Sequence, residues 1–124
     1  MTWTTDPLER RRGEREERLD RAREYVELLN ERLPVLGAAV AGSVSRGDFN
    51  LWSDVDVVVV SDALPPPGPA RGEALGDAAS GLEVHGYTSA EFARALKRGD
   101  RLAREAAERG VILIGTMPSA EPLD

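Results

Sequence analysis

An α/β fold is predicted, on three observations. Short apolar runs at residues 35–41, 54–60 and 82–87 read as strands; an apolar stripe at helical spacing precedes the first, and capped helical patterns follow the last. Such alternation belongs to one compact α/β unit. At 124 residues the chain is long enough for one domain that buries well over half of its unfolded surface.

Taken in order, Asp6, Pro7 and Glu9 make a helix start: a cap, a proline in the first turn and an acid three residues after the cap. A dense charged run follows, in which Gly13 is a candidate break. From there Leu19, Ala22, Val26, Leu29 and Leu33 step by three and four, as a helix laid on a core does, and Pro34 ends the pattern. The glutamates and arginines of the opposite face pair with one another in water, or meet an acidic partner between Arg10 and Arg23.

Val35 to Ala41 is an uncharged apolar run that ends at Gly42, and Ser43 is a good N-cap for a helical turn. A strand that feeds a helix start presents unpaired N–H groups and the positive end of the helix dipole, both favourable to an anion. Gly42 lets a phosphate approach the backbone, and Arg46 can clamp it. Asp48 and Asn50 suit turn chemistry, and Trp52 fills space beneath the loop or stacks on a base.

Asp54 to Val60 is the strongest strand signal, rich in β-branched residues. Alternation sets Asp54 and Asp56 on one face with Cα atoms roughly 6 to 7 Å apart. Two negative charges at ~6 Å repel by about 3 kcal/mol at an effective dielectric of 20, a cost that a divalent cation reverses. Mg²⁺ favours one or two carboxylates with water and substrate phosphates around it, so the anion corner and the acid pair together suit a nucleoside triphosphate with Mg²⁺ or Mn²⁺.

After this strand, Leu64 to Pro69 reads as a stiff proline loop, residues 71–80 as a weak helix interrupted by Gly72 and Gly76, and Leu82 to Tyr87 as a third strand. Thr88 and Glu91 form a capping box that opens a helix to about Arg98, with Phe92 and Leu96 inward. A second helix restarts at Gly99-Asp100 with Leu102, Ala103, Ala106 and Ala107 on one face, until Gly110 stops it. Val111 to Ile114 is a brief apolar end piece; the expected domain covers residues 1–115, and residues 116–124 a mobile tail.

Composition excludes several classes. The net charge of −6, from 16 basic and 22 acidic residues, argues against a nucleic-acid partner held by phosphate contacts. No cysteine occurs, which rules out disulfides and thiolate metal sites. No apolar stretch approaches a membrane span and the N-terminus lacks a signal-peptide core, so a cytoplasmic location without membrane contact is expected.

Gly42-Ser43, ten intervening residues with Arg46-Gly47 among them, and then Asp54-Val55-Asp56 closely resemble the active-site motif of the DNA polymerase β-like nucleotidyltransferase superfamily. Within it, the chain resembles the minimal nucleotidyltransferase group, small proteins paired as antitoxins with all-helical HEPN partners. The resemblance spans roughly residues 19–115. It implies a small mixed β-sheet with helices packed mainly on one side and the site at its open edge. It implies that Gly42, Ser43 and Arg46 hold the triphosphate while Asp54 and Asp56 ligate the metal, and that a third acid on a later strand completes the metal site and activates the acceptor hydroxyl. Glu83 is the candidate, one methylene longer than the usual aspartate. His85 shares its face, but a lone histidine there is more often a packed strand residue than a ligand.

The activity implied is Mg²⁺-dependent transfer of a nucleoside monophosphate, AMP from ATP, to a hydroxyl, with a tyrosine of a HEPN toxin as acceptor. The alternative is a contact-only antitoxin or nucleotide-binding module. Intact Gly42, Ser43, Asp54 and Asp56 favour the enzyme, since a contact-only protein has no use for two repelling acids in register. A small-molecule nucleotidyltransferase of the antibiotic-modifying type is a weaker third reading, because such enzymes usually carry extra acceptor-binding structure.

Overall fold

The structure, a computed structural model, describes residues 7–41, 54–78 and 81–118. Helix α1 (Pro7–Arg32) is followed by strands β1 (Gly37–Ala41) and β2 (Val55–Val60). Helix α2 (Pro69–Leu75) leads to β3 (Leu82–Tyr87), helices α3 (Ser89–Lys97) and α4 (Arg101–Arg109), and strand β4 (Val111–Gly115). The four strands form a mixed sheet in the order β3-β2-β1-β4, parallel between β2 and β3 and antiparallel elsewhere.

The expected α/β class and mixed sheet are present, with the helices divided between both faces instead of lying mainly on one. The cause is β2. Val55, Val57 and Val59 join Ala38 and Val40 under Leu19, Ala22, Val26 and Leu29 of α1 and Leu75 of α2. Val58 and Val60 join Ala39 and Ala41 under Phe92 and Ala95 of α3 and Ala103 and Ala106 of α4. A strand with valines of both parities buries both faces, as strands of parallel pairs do.

Three further differences have local causes. Helix α1 runs unbroken through Gly13, where a Cβ would meet open space; the roughly 1 kcal/mol that a glycine costs a helix interior is tolerated in a 26-residue helix packed on the core through Leu19, Ala22, Val26 and Leu29. Helix α2 begins at Pro69 and not at residue 71, because proline at the first turn surrenders only an N–H that has no helical partner; Gly72 lies inside it and Gly76, at φ 72°, ends it. The end piece is a fourth strand. β4 pairs with β1 through Val40↔Val111 and Ala39↔Ile112, with a register shift between Ala38 and Ala39. Gly115 takes φ 62° and any Cβ there would strike the Leu36 carbonyl, so the strand closes against the start of β1 only with glycine. Past it, Thr116 N–H donates to Leu36 O at 3.2 Å and Met117 packs on the second core cluster.

The capping box is formed as the sequence predicts: Glu91 N–H donates to Thr88 Oγ1 at 3.2 Å while Thr88 N–H donates to Glu91 Oε1 at 2.9 Å. Asp100 caps α4 by accepting from Ala103 N–H at 3.0 Å. Ser61, fully buried after β2, donates to Pro34 O at 2.6 Å and so ties the end of β2 to the segment after α1. No helix of the described residues is long and apolar enough to cross a membrane.

Candidate active site

The parallel register of β2 and β3 sets Asp56 opposite Glu83. Side chains alternate along a strand, so His85 follows Glu83 on the same face two residues on. On the other flank Asp56 pairs with Ala41, the residue before Gly42 in the sequence. This is the face that α3 and α4 cover farther along, where Val58 and Val60 are buried, yet Asp56 keeps 31% and Glu83 60% of its side chain exposed. An open end of the sheet thus carries acids where its middle carries valines.

The three side chains converge. His85 Nε2 lies 3.1 Å from Asp56 Oδ1 and 4.0 Å from Glu83 Oε1. One ligand atom from each of Asp56, Glu83 and His85 lies within 4.8 Å of the others, the group among the described residues suited to a metal ion. An octahedral ion with bonds near 2.1 Å sets neighbouring donors about 3.0 Å apart and opposite donors about 4.2 Å apart. The two contacts of His85 match those spacings, and two carboxylates with one imidazole form a donor set for a divalent cation.

Of the predicted site residues, the structure therefore joins Asp56 and Glu83. Asp54 precedes β2, is exposed and stands outside the converging group. The expectations for Gly42, Ser43 and Arg46, and for Asp48, Asn50 and Trp52, fall outside the described residues. His85, set aside in the sequence as a packed residue, joins the group; the available signal was its alternation with Glu83. No sequence signal marked the parallel pairing that supplies Asp56 as their neighbour.

A second charged cluster lies at the far end of β3. Arg71 of α2 donates through Nη1 to Glu91 Oε1 at 2.7 Å and through Nη2 to Glu91 Oε2 at 3.1 Å. Its Nε donates to Pro65 O at 2.7 Å, and Nη1 also to Gly86 O at 3.2 Å. The Arg71 hydrogen bond, helped by the Thr88 backbone and opposed by burial, holds the Glu91 carboxyl below its ordinary range. This forked pair fastens the proline loop and α2 to the end of β3 and the start of α3.

Comparison with known proteins adds a family. A family model described as a nucleotidyltransferase domain matches residues 19–111. No curated protein and no solved structure matches the chain.

Proposed function

The chain belongs to the nucleotidyltransferase domain family of the DNA polymerase β-like superfamily, and from that premise we propose that it transfers AMP from ATP to a hydroxyl at the Asp56, Glu83 and His85 end of the sheet. The observation that carries the proposal is the convergence of these donor atoms within 4.8 Å in a chain of this family. A bound Mg²⁺ or Mn²⁺ supplies charge neutralisation for the α-phosphate and the leaving pyrophosphate.

The chain's own groups do the rest. Asp56, Glu83 and His85 would hold the cation, with Asp54, the residue before β2, as a further carboxylate for the metal-bound triphosphate. Gly42 and Ser43 receive the triphosphate, and Arg46 steadies it as a guanidinium fork. The acceptor oxygen attacks the α-phosphorus in line, a new P–O bond forms, the bond to the β-phosphate oxygen breaks, and pyrophosphate leaves. Glu83, the more exposed carboxylate, takes the hydroxyl proton. His85 would add its imidazole to the ligands, with Nε2 placed 3.1 Å from Asp56 Oδ1. The acceptor we propose is a tyrosine of an all-helical HEPN partner, whose toxicity the transfer would cancel.

Incubation with α-labelled ATP, Mg²⁺ and the product of the adjacent reading frame tests the proposal, which expects that product to be a HEPN protein. Label should pass to the partner, and should fail to pass with Asp56→Asn. Neutralisation of the partner by Asp54→Asn and Asp56→Asn without transfer would instead identify a contact-only antitoxin.

A further inference from the structure

A cavity of about 280 Å³ lies beside the end of β3, between α2 and α3, and none of Asp56, Glu83 and His85 lines it. Its walls include Pro67, Arg71, Tyr87, Glu91, Arg94 and Arg98. We propose that this cavity is a second anion site, one that takes a phosphate or diphosphate group of a small molecule. The inference stands apart from the nucleotidyl transfer proposed above.

Charge accounting over the cavity supports it. Both Glu91 oxygens accept from Arg71, and one accepts from Thr88 N–H as well, so the single acid of the wall is already neutralised. Arg94 and Arg98 remain. They sit one turn apart at the end of α3, Arg98 as its C-cap, both exposed, and neither has a carboxylate within ion-pair distance among the described residues. Like charges at that spacing repel on a helix. In a chain with six more acids than bases, two neighbouring guanidinium groups without a salt bridge line one cavity, and although the Asp100 carboxylate acts on Tyr87 nearby, their charges leave a local positive field that an anion would complete. Arg94 shares the last turn of α3 with Lys97, where both complement the C-terminal dipole, but of the two only Arg94 lines the cavity.

The donor count selects the anion. Arg71 uses four of its five N–H groups and keeps one at Nη2, while Arg94 and Arg98 offer forks, and Tyr87, whose pKa burial and Asp100 raise, stays a protonated donor at neutral pH. That exceeds what a two-oxygen carboxylate accepts and suits the oxygens of a phosphate. The volume, near the lower end of ligand sites, admits a diphosphate-sized group.

Calorimetric titration of the intact chain with pyrophosphate, in EDTA so that no divalent cation contributes, tests the site. Saturable uptake should weaken by about tenfold or more in Arg94→Gln/Arg98→Gln and persist in Asp56→Asn. Both arginines are exposed, so the double variant should keep the wild-type circular dichroism and melting temperature. A parallel titration with ADP identifies the source: tighter uptake of ADP assigns a nucleotide tail, tighter uptake of pyrophosphate a free phosphate. The proposal is overturned by absence of saturable uptake at millimolar pyrophosphate, or by uptake that the double variant leaves unchanged. Failure of nucleotidyl transfer would not bear on either result.

Discussion

Strand β3 carries a charge cluster at each end, and the two are built in opposite ways. At its C-terminal end Arg71 and Glu91 meet as a two-pronged pair with side chains only 11% and 23% exposed. Nearly every donor and acceptor of that pair is matched, one of them by the capping box and two by backbone carbonyls. At its N-terminal end Asp56 and Glu83 face each other with a single imidazole between them, and the carboxylates keep lone pairs that nothing among the described residues uses. A closed cluster contributes to stability, because removing one partner leaves the other charged and poorly solvated. An open cluster of like charges costs stability unless a ligand completes it, which is why the second end is the candidate for chemistry.

That contrast can be broken from either side. The largest effect is expected on activity: Asp56→Asn should lower nucleotidyl transfer by about 10²- to 10³-fold, the scale of losing one charge-stabilising group, with a melting temperature equal to or above that of the wild type. A fall in melting temperature with transfer retained would reverse the roles of the two clusters. Next, Arg71→Ala should cost about 3 kcal/mol in urea unfolding, because Glu91 is left without its counter-charge and Pro65 and Gly86 carbonyls lose a donor.

Acidification sharpens the same comparison. Glu91 has a carboxyl pKa lowered from 4.5 by the Arg71 hydrogen bond first, so its ionised form is favoured more in the folded state than in the unfolded one. The stability it contributes is present above the ordinary carboxylate range and is lost as pH falls through the lowered folded value. Melting temperatures should therefore drop below about pH 4.5 in the wild type, and Glu91→Gln should flatten that part of the profile. A smaller effect is expected away from both clusters. Tyr25→Phe removes a phenol that donates to Leu75 O at 2.7 Å, and should cost about 1 kcal/mol by loosening α2 from α1. Smallest of all, Arg104→Ala breaks an exposed pair with Glu108 at 3.8 Å and should change stability by about 0.5 kcal/mol or less.

Much of this was legible in the residues because the signals are local. The stripe from Leu19 to Leu29, the valines of β2, the Thr88–Glu91 box and the Asp100 cap each declare themselves within a few positions, and each is found. What depends on distant pairing was not legible. Val111 to Ile114 has no turn signal that names β1 as its partner, so a strand reads as an apolar end piece. The parallel register that brings Asp56 to Glu83 and His85 spans more than twenty residues, and the family resemblance, not the spacing, pointed to Glu83. Arg71 lies in a segment that reads as weak helix, with nothing local to indicate that it is buried against Glu91. Glu91 itself is legible as a cap and illegible as an ion-pair partner, since only the first role is set by neighbours in sequence.

The central claim is that Asp56, Glu83 and His85 hold one divalent cation, and titration with Mn²⁺ followed by electron paramagnetic resonance tests it most directly. The account predicts saturable loss of the free-ion signal, a nitrogen coupling from the imidazole that vanishes in His85→Ala, and loss of binding in Asp56→Asn. A free-ion signal that persists throughout the titration, or binding that Asp56→Asn leaves intact, would contradict it.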